Sequence, residues 1–254
     1  MKVYLTEMHS IRDAIRTMYL SKRTWTPELE SKIKKSVNYC TDRDSRPLTG
    51  FNDNDPIKNE FEGMVNKLFK WGKHHITMLR FLDVSVTVEG LHRGATDDLD
   101  AHAKRMDNRI IRSSTRLANY QSSEISDWYK DKIIPTDKAL DILSMNLPEE
   151  IEYDGNIYVR AENGYIIKGQ ENNKDVKRGL YMLSLPMTFT FKINIAELAH
   201  VYIERGKSKK NGGLAHGTAA PELQEMIEDL IDQIHEWYPQ IDREFLLDVE
   251  NNNV

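Results

Sequence analysis

Val84-Ser85-Val86-Thr87-Val88-Glu89-Gly90 is the stretch whose reading decides the class of fold. Three β-branched valines alternate with Ser85, Thr87 and Glu89, the period-two pattern of a strand with one face in a core and the other in water. Gly90 closes the run. Upstream of it the period changes. Ile11, Ile15, Met18 and Tyr19 recur at helical spacing. Thr26-Pro27-Glu28 reads as an N-cap, a proline at N1 and a first-turn acid, opening a helix that carries Leu29, Ile33 and Val37 to Cys40. A third helix begins near Asp55-Pro56, presents Phe61, Met64, Leu68 and Trp71, and ends at Gly72. Lys2–Leu5 alternates like a short first strand, and Asp42 to Asp55 reads as a polar loop.

Downstream, Asp97 to Arg105 is expected to be helical, with acids first and bases last to suit the helix dipole. Ile110-Ile111 and the polar run Arg112–Arg116 follow, then a helix around Asp137–Met145. Asn156–Arg160 and Tyr165–Lys168 flank Ala161-Glu162-Asn163-Gly164, a hairpin signal. Two helices are expected at Ile195–Arg205 and Pro221–Trp237, the second with Leu223, Met226, Ile227, Leu230, Ile231, Ile234 and Trp237 on one stripe. Between them Gly206–Gly213 is a basic loop, and Asn251-Asn252-Asn253 reads as a frayed tail. The expected architecture is a mixed α/β (α+β) fold, a small antiparallel sheet flanked by helices, in a single domain over residues 1–254. Its sections are a mostly helical 1–71, a strand and helix section 72–120, a hairpin and C-terminal helices over 121–246, and a tail 247–254.

Composition removes several functions. The 254 residues are 39% hydrophobic and 30% charged, enough apolar material for a core. Lys and Arg number 35 against 40 Asp and Glu, a net charge of −5, so a protein that coats nucleic acid is not expected. No apolar run approaches the ~20 residues of a membrane span. Met1–Glu7 lacks a long apolar signal core, which makes the cytoplasm the expected location. The single Cys40 excludes an intramolecular disulfide and any multi-cysteine zinc site.

The usual motifs for chemistry are missing as well. No His-Glu-x-x-His, Gly-x-Gly-x-x-Gly, Walker loop or Gly-x-Ser-x-Gly is present, and Cys40 has no evident histidine partner. Asp97, Asp98 and Asp100 lie near His102, but acids opening a helix need no metal, and none is expected. The anomaly is density: Arg105, Arg109, Arg112 and Arg116 accompany Ser113, Ser114 and Thr115 within twelve positions. Guanidinium forks beside hydroxyls suit phosphate or carboxylate, although a solvated basic strand edge would look the same. On the Ile195 helix, Asn194 and Arg205 are eleven residues apart. That is about three turns, so both point off one face about 16 Å apart, with His200 a little round the cylinder. They can line a long polar ligand, or simply cap the helix.

Three of these segments together resemble the flavin-dependent thymidylate synthases, the ThyX family, over roughly Gly72 to Trp237. The first is the Val84–Gly90 strand, preceded by His75 and Thr77, which match the family's flavin-touching His-Glu-Thr. The second is the run from Asp107 to Tyr120, set against the signature Arg-His-Arg-x-x-Ser-x-Asn-Glu-x-Ser-x-Arg-Tyr, where only Arg109 and Tyr120 match outright. Another placement puts His102 under the signature histidine. The third is Asn194-Ile195-Ala196-Glu197-Leu198-Ala199-His200-Val201-Tyr202-Ile203-Glu204-Arg205, similar to the family's Asn-x-x-x-Leu-x-x-x-x-x-x-Arg helix. His200 and Ala196 replace a family polar residue and an arginine. Leu185-Pro186 with Arg178 upstream, and Ala219-Ala220-Pro221-Glu222-Leu223, are further points of similarity.

The resemblance implies a homotetramer holding FAD, which converts dUMP to dTMP with methylenetetrahydrofolate and NADPH as co-substrates. It assigns catalysis to Arg205, polarising the uracil. Flavin contact falls to His75, His102, Arg109, Asn194 and His200. Nucleotide contact falls to Arg178, Arg112, Ser114, Arg116 and Tyr120. A diverged relative acting on another pyrimidine nucleotide, or a non-catalytic binding protein that keeps the fold, are the alternatives.

Overall fold

The valine alternation becomes the central strand. In β2 (Asp83–His92), Val84, Val86 and Val88 are fully buried while Ser85 and Thr87 stay partly open. The computed structural model describes residues 1–101, 109–112, 149–153, 155–161, 164–172, 185–206 and 221–252. The expected helix at Asp137–Met145 lies outside them. β1 (Lys2–His9) runs antiparallel to one edge of β2, and β7 (Pro186–Asn194) runs antiparallel to the other. β3 (Arg109–Arg112) pairs with the far side of β7, giving the order β1-β2-β7-β3. The strand does not end at Gly90. Register shifts between Glu89 and Leu91, and Gly90 takes a φ of +85° that a side chain would strain, so β2 bulges there and continues to His92.

Helices cover the valine face. α1 (Ile11–Ser21), α2 (Pro27–Cys40) and α3 (Pro56–Gly72) pack on one another. The two proline starts behave as their caps dictate: Thr26 accepts the Leu29 N–H at 3.1 Å, and Asp55 accepts those of Ile57 and Lys58 at 2.8 and 3.1 Å. A 3-10 turn (Ile76–Phe81) leads into β2 and packs against α1 and against α5 (Ile195–Arg205). α6 (Pro221–Trp237) lies under β1 and β2 and buries Leu223, Met226, Ile227, Leu230, Ile231 and Ile234. Its Gln233 amide accepts the Leu5 N–H at 2.8 Å and donates to the Val3 carbonyl at 2.9 Å. That side chain satisfies backbone groups on an edge strand that would otherwise invite pairing.

Two expectations change here. Residues 247–251 are not tail: α7 (Arg243–Asn251) packs on α5 and buries Phe245, Leu246 and Val249, with Phe245 edge-on to Phe69 of α3, and is capped by Asp242 accepting the Phe245 N–H. α4 runs Arg93–Ala101, four residues earlier than expected, so Asp97 and Asp98 lie in its second turn rather than opening it. The hairpin forms as β5 (Asn156–Ala161) and β6 (Gly164–Ile167), joined by β4 (Glu150–Tyr153) in a second, three-stranded sheet.

Candidate functional site

α5 carries Asn194 at its cap and His200 and Arg205 along its length, three of the expected site residues, and it starts without a loop. β7 ends at Asn194, and the Ile195 N–H binds the Leu82 carbonyl at 2.9 Å, so helix, central strand and 3-10 turn share one junction. Asn194 is the buried N-cap, its Oδ1 accepting the Glu197 N–H at 2.9 Å. The capping reading therefore holds for its oxygen, and the Nδ2 amide is what it can offer a ligand. At the other end Gly206 closes the helix. A Cβ there would collide with the Tyr202 ring and stand 2.7 Å from the Tyr202 carbonyl, so no larger residue fits beside Arg205.

Arg205 is mostly buried, with 13% of its side chain exposed. Its Nη1 donates to the Glu204 carbonyl at 3.4 Å. Its Nε is buried with no hydrogen-bond partner and stands 3.9 Å from Asp98 Oδ2, an ion-pair distance too long for a hydrogen bond. A buried guanidinium nitrogen left in this state has capacity for a ligand.

α4 presents Asp98, and its start is locked by a buried pair. The Ala95 N–H donates to His92 Nδ1 at 3.1 Å, and the His92 N–H donates to Glu222 Oε2 at 3.0 Å. His92 thus caps α4, while a glutamate from α6 binds the cap residue's own amide, the reciprocal arrangement of a capping box built from two segments. Because Nδ1 accepts, the ring proton sits on Nε2, which faces Glu222 Oε2 at 3.7 Å. Sequence reasoning missed His92 and Glu222 in these roles. It met Asp98 only as one acid of three near His102.

The other expected residues fall in different places. His75 is exposed at the start of the 3-10 turn, stacked on Trp71 with ring centroids 5.0 Å apart, and Lys22 Nζ lies 3.4 Å above that tryptophan. His200 does not share the Asn194–Arg205 face. At 100° per residue it lies well over a quarter turn from both, and its Nδ1 meets Glu250 Oε1 of α7 at 3.0 Å. Arg109 and Arg112 occupy β3, opposite Lys192 and Phe189 in the register, at the edge of the main sheet. His102, Ser114, Arg116, Tyr120 and Arg178 lie outside the described residues.

Elsewhere, a cavity of about 300 Å³ opens between α2, α3 and the end of α6, lined by Cys40, Phe51, Phe61 and Trp237 among others. Burial pushes the Cys40 thiol up to about 11, which keeps it from serving as a nucleophile at neutral pH. Among the described residues no group of three His, Cys, Asp or Glu side chains stands close enough to hold a metal ion, and no helix is long and apolar enough to cross a membrane.

No family model and no curated protein matches the sequence. Solved structures match its shape from end to end. Thymidylate synthase X (ThyX) from Helicobacter pylori, crystallised with FAD and dUMP, is 14% identical, covers 97% of this chain and 100% of its own, and aligns with a TM-score of 0.54. A second structure, the flavin-dependent thymidylate synthase ThyX from Helicobacter pylori complexed with FAD and dUMP, is 13% identical. It covers 98% of this chain and 99% of its own at a TM-score of 0.51. The chain has the ThyX fold. The mixed α/β architecture with a small antiparallel sheet, expected from the sequence, is the architecture of that fold. Within this ThyX fold, Asn194 and Arg205 stand at the two ends of α5, and His75 begins the 3-10 turn packed against that helix.

Proposed function

We propose that this chain is a nucleotide-methylating flavoprotein that converts dUMP to dTMP. One observation carries the reading: on a ThyX fold, at the position of the resemblance's catalytic arginine, Arg205 is buried with its Nε unbonded. FAD fits the residues present, since the buried arginine, the exposed His75 and the Asn194 amide border α5 and its neighbouring turn. When bound, FAD would supply the redox chemistry, with NADPH as reductant and methylenetetrahydrofolate as carbon source. The chain's own part is orientation and charge. Arg205 donates to a uracil carbonyl oxygen and stabilises the negative charge that develops there as the ring is attacked. His75, its ring held flat by Trp71, and the Asn194 amide orient the cofactor. Arg109, Arg112, Ser114, Arg116, Tyr120 and Arg178 hold the nucleotide, with His102 beside the cofactor.

His200 stands apart from this set. Its imidazole is engaged by Glu250 and faces α7, so a direct flavin contact has no support from its surroundings. That change, with Ala196 in place of an arginine, favours a second reading: a diverged enzyme acting on a related pyrimidine nucleotide. The functional unit in either reading is a cytoplasmic homotetramer. The test is incubation with FAD, dUMP, methylenetetrahydrofolate and NADPH, followed by product mass. A net mass gain of one CH2, a methyl group in place of the C5 hydrogen, supports thymidylate synthesis. A protein that takes up no FAD and leaves every pyrimidine nucleotide unchanged overturns both readings.

A further inference from the structure

We propose that Asp98 and Arg205 form the edge that reads the pyrimidine base, and that Asp98 sets the choice of uracil over cytosine. This rests on the reading of Arg205 given above. The two groups are neighbours that do not saturate one another, since 3.9 Å separates Nε from Oδ2. Arg205 brings donors only, and Asp98 brings acceptors only. Arg205 spends Nη1 on the Glu204 carbonyl, while the Asp98 carboxylate is the more open of the two, with 35% of its side chain exposed against 13%.

A donor beside an acceptor is the complement of a uracil imide edge, which presents a carbonyl oxygen next to the N3–H. Cytosine reverses the pattern at its N4–N3 edge. Its amino group would face the guanidinium, and its N3 lone pair would face the carboxylate. One charged acceptor therefore both attracts the right base and repels the wrong one.

The pair is also held in place from both sides. Arg205 sits where Gly206 allows no larger residue. Asp98 lies on a helix whose first turn is tied to α6 through His92 and Glu222, and which packs on β2 and β7. A specificity contact needs this fixed geometry, because a loose carboxylate would turn away from cytosine at little cost.

The test is titration calorimetry of the full chain, and of Asp98→Asn and Asp98→Glu, with dUMP, dCMP and 3-methyl-dUMP. Wild type is expected to bind dUMP at least about tenfold tighter than either other nucleotide, since each lacks the N3–H. An asparagine can donate or accept, so Asp98→Asn should narrow the preference for dUMP over dCMP about tenfold. Asp98→Glu should keep the preference, and thermal melts of both variants check folding. Equal loss of dUMP and dCMP affinity in a folded Asp98→Asn variant overturns the assignment, and so does wild-type binding of 3-methyl-dUMP as tight as that of dUMP. Binding of dUMP with an unchanged ratio removes only the role of Asp98. Failure of wild type to bind any pyrimidine nucleotide removes that role together with the proposed function.

Discussion

The two ends of α5 are built for different purposes. At its start two polar groups are spent inside the fold: the Asn194 oxygen holds the Glu197 N–H, and the Ile195 N–H binds the Leu82 carbonyl. At its end Arg205 is buried with an unbonded Nε and an acid at 3.9 Å. A buried donor without a partner costs about 1–3 kcal/mol, so stability gives no reason to keep the arginine there. A site that stores uncompensated donors is paid for by the ligand that completes it. The first end is chiefly a junction of the fold, and in the proposed function the second is completed by the ligand.

The largest predicted effect would break this comparison if it failed. If the proposed function holds, Arg205→Ala should lower dTMP formation by at least about 100-fold, because in that reaction the arginine is the donor aimed at developing charge. Its melting temperature should hold or rise, since an unsatisfied group leaves with the side chain. Wild-type turnover in that variant, or a collapse of its fold, would make the two ends alike. Next in size is Glu222→Ala. It strips the buried His92 N–H of its acceptor and should cost about 1–3 kcal/mol, a drop of roughly 2–12 °C in a chain of this length. A thermal melt reads the stability. Because α4 carries Asp98, weaker dUMP binding is expected as well, and an unchanged melt and affinity would show that the pair does not hold α4.

How much of this was legible depended on whether the information was local. Thr26-Pro27 and Asp55-Pro56 are complete instructions within four residues, and the helices begin where they say. The valine strand and the stripe on α6 are similarly self-contained. β7 escapes a reading of the sequence, although Met187, Phe189, Phe191 and Ile193 alternate as cleanly as the valines. Its alternation runs without a turn residue into the helical period at Ile195, and Asn194 serves as the last strand residue and as the cap, so no boundary marks it. α4 begins earlier than its charge pattern suggests because its cap is a histidine completed by Glu222, 130 residues away. The same limit applies to the site. Arg205 can be picked out by its spacing from Asn194, but its meeting with Asp98 is made by tertiary structure that brings two distant segments together, and nothing near either residue announces it.

The smallest effects sharpen the comparison from the other end. Asn194→Ala removes the oxygen that accepts the Glu197 N–H and should cost about 1 kcal/mol, the usual loss for an N-cap, or a melting temperature lower by about 2–4 °C. Asn194→Ser restores an accepting oxygen at the cap and should return stability to within a few tenths of a kcal/mol of wild type. Serine has no amide to donate, so the pair of variants separates two jobs of one side chain. If the Nδ2 group meets the cofactor, Asn194→Ser melts like wild type yet binds FAD more weakly, by about fivefold for one neutral hydrogen bond of ~1 kcal/mol. If Asn194 only starts the helix, FAD affinity follows stability through both variants, and the whole of the first end belongs to the fold.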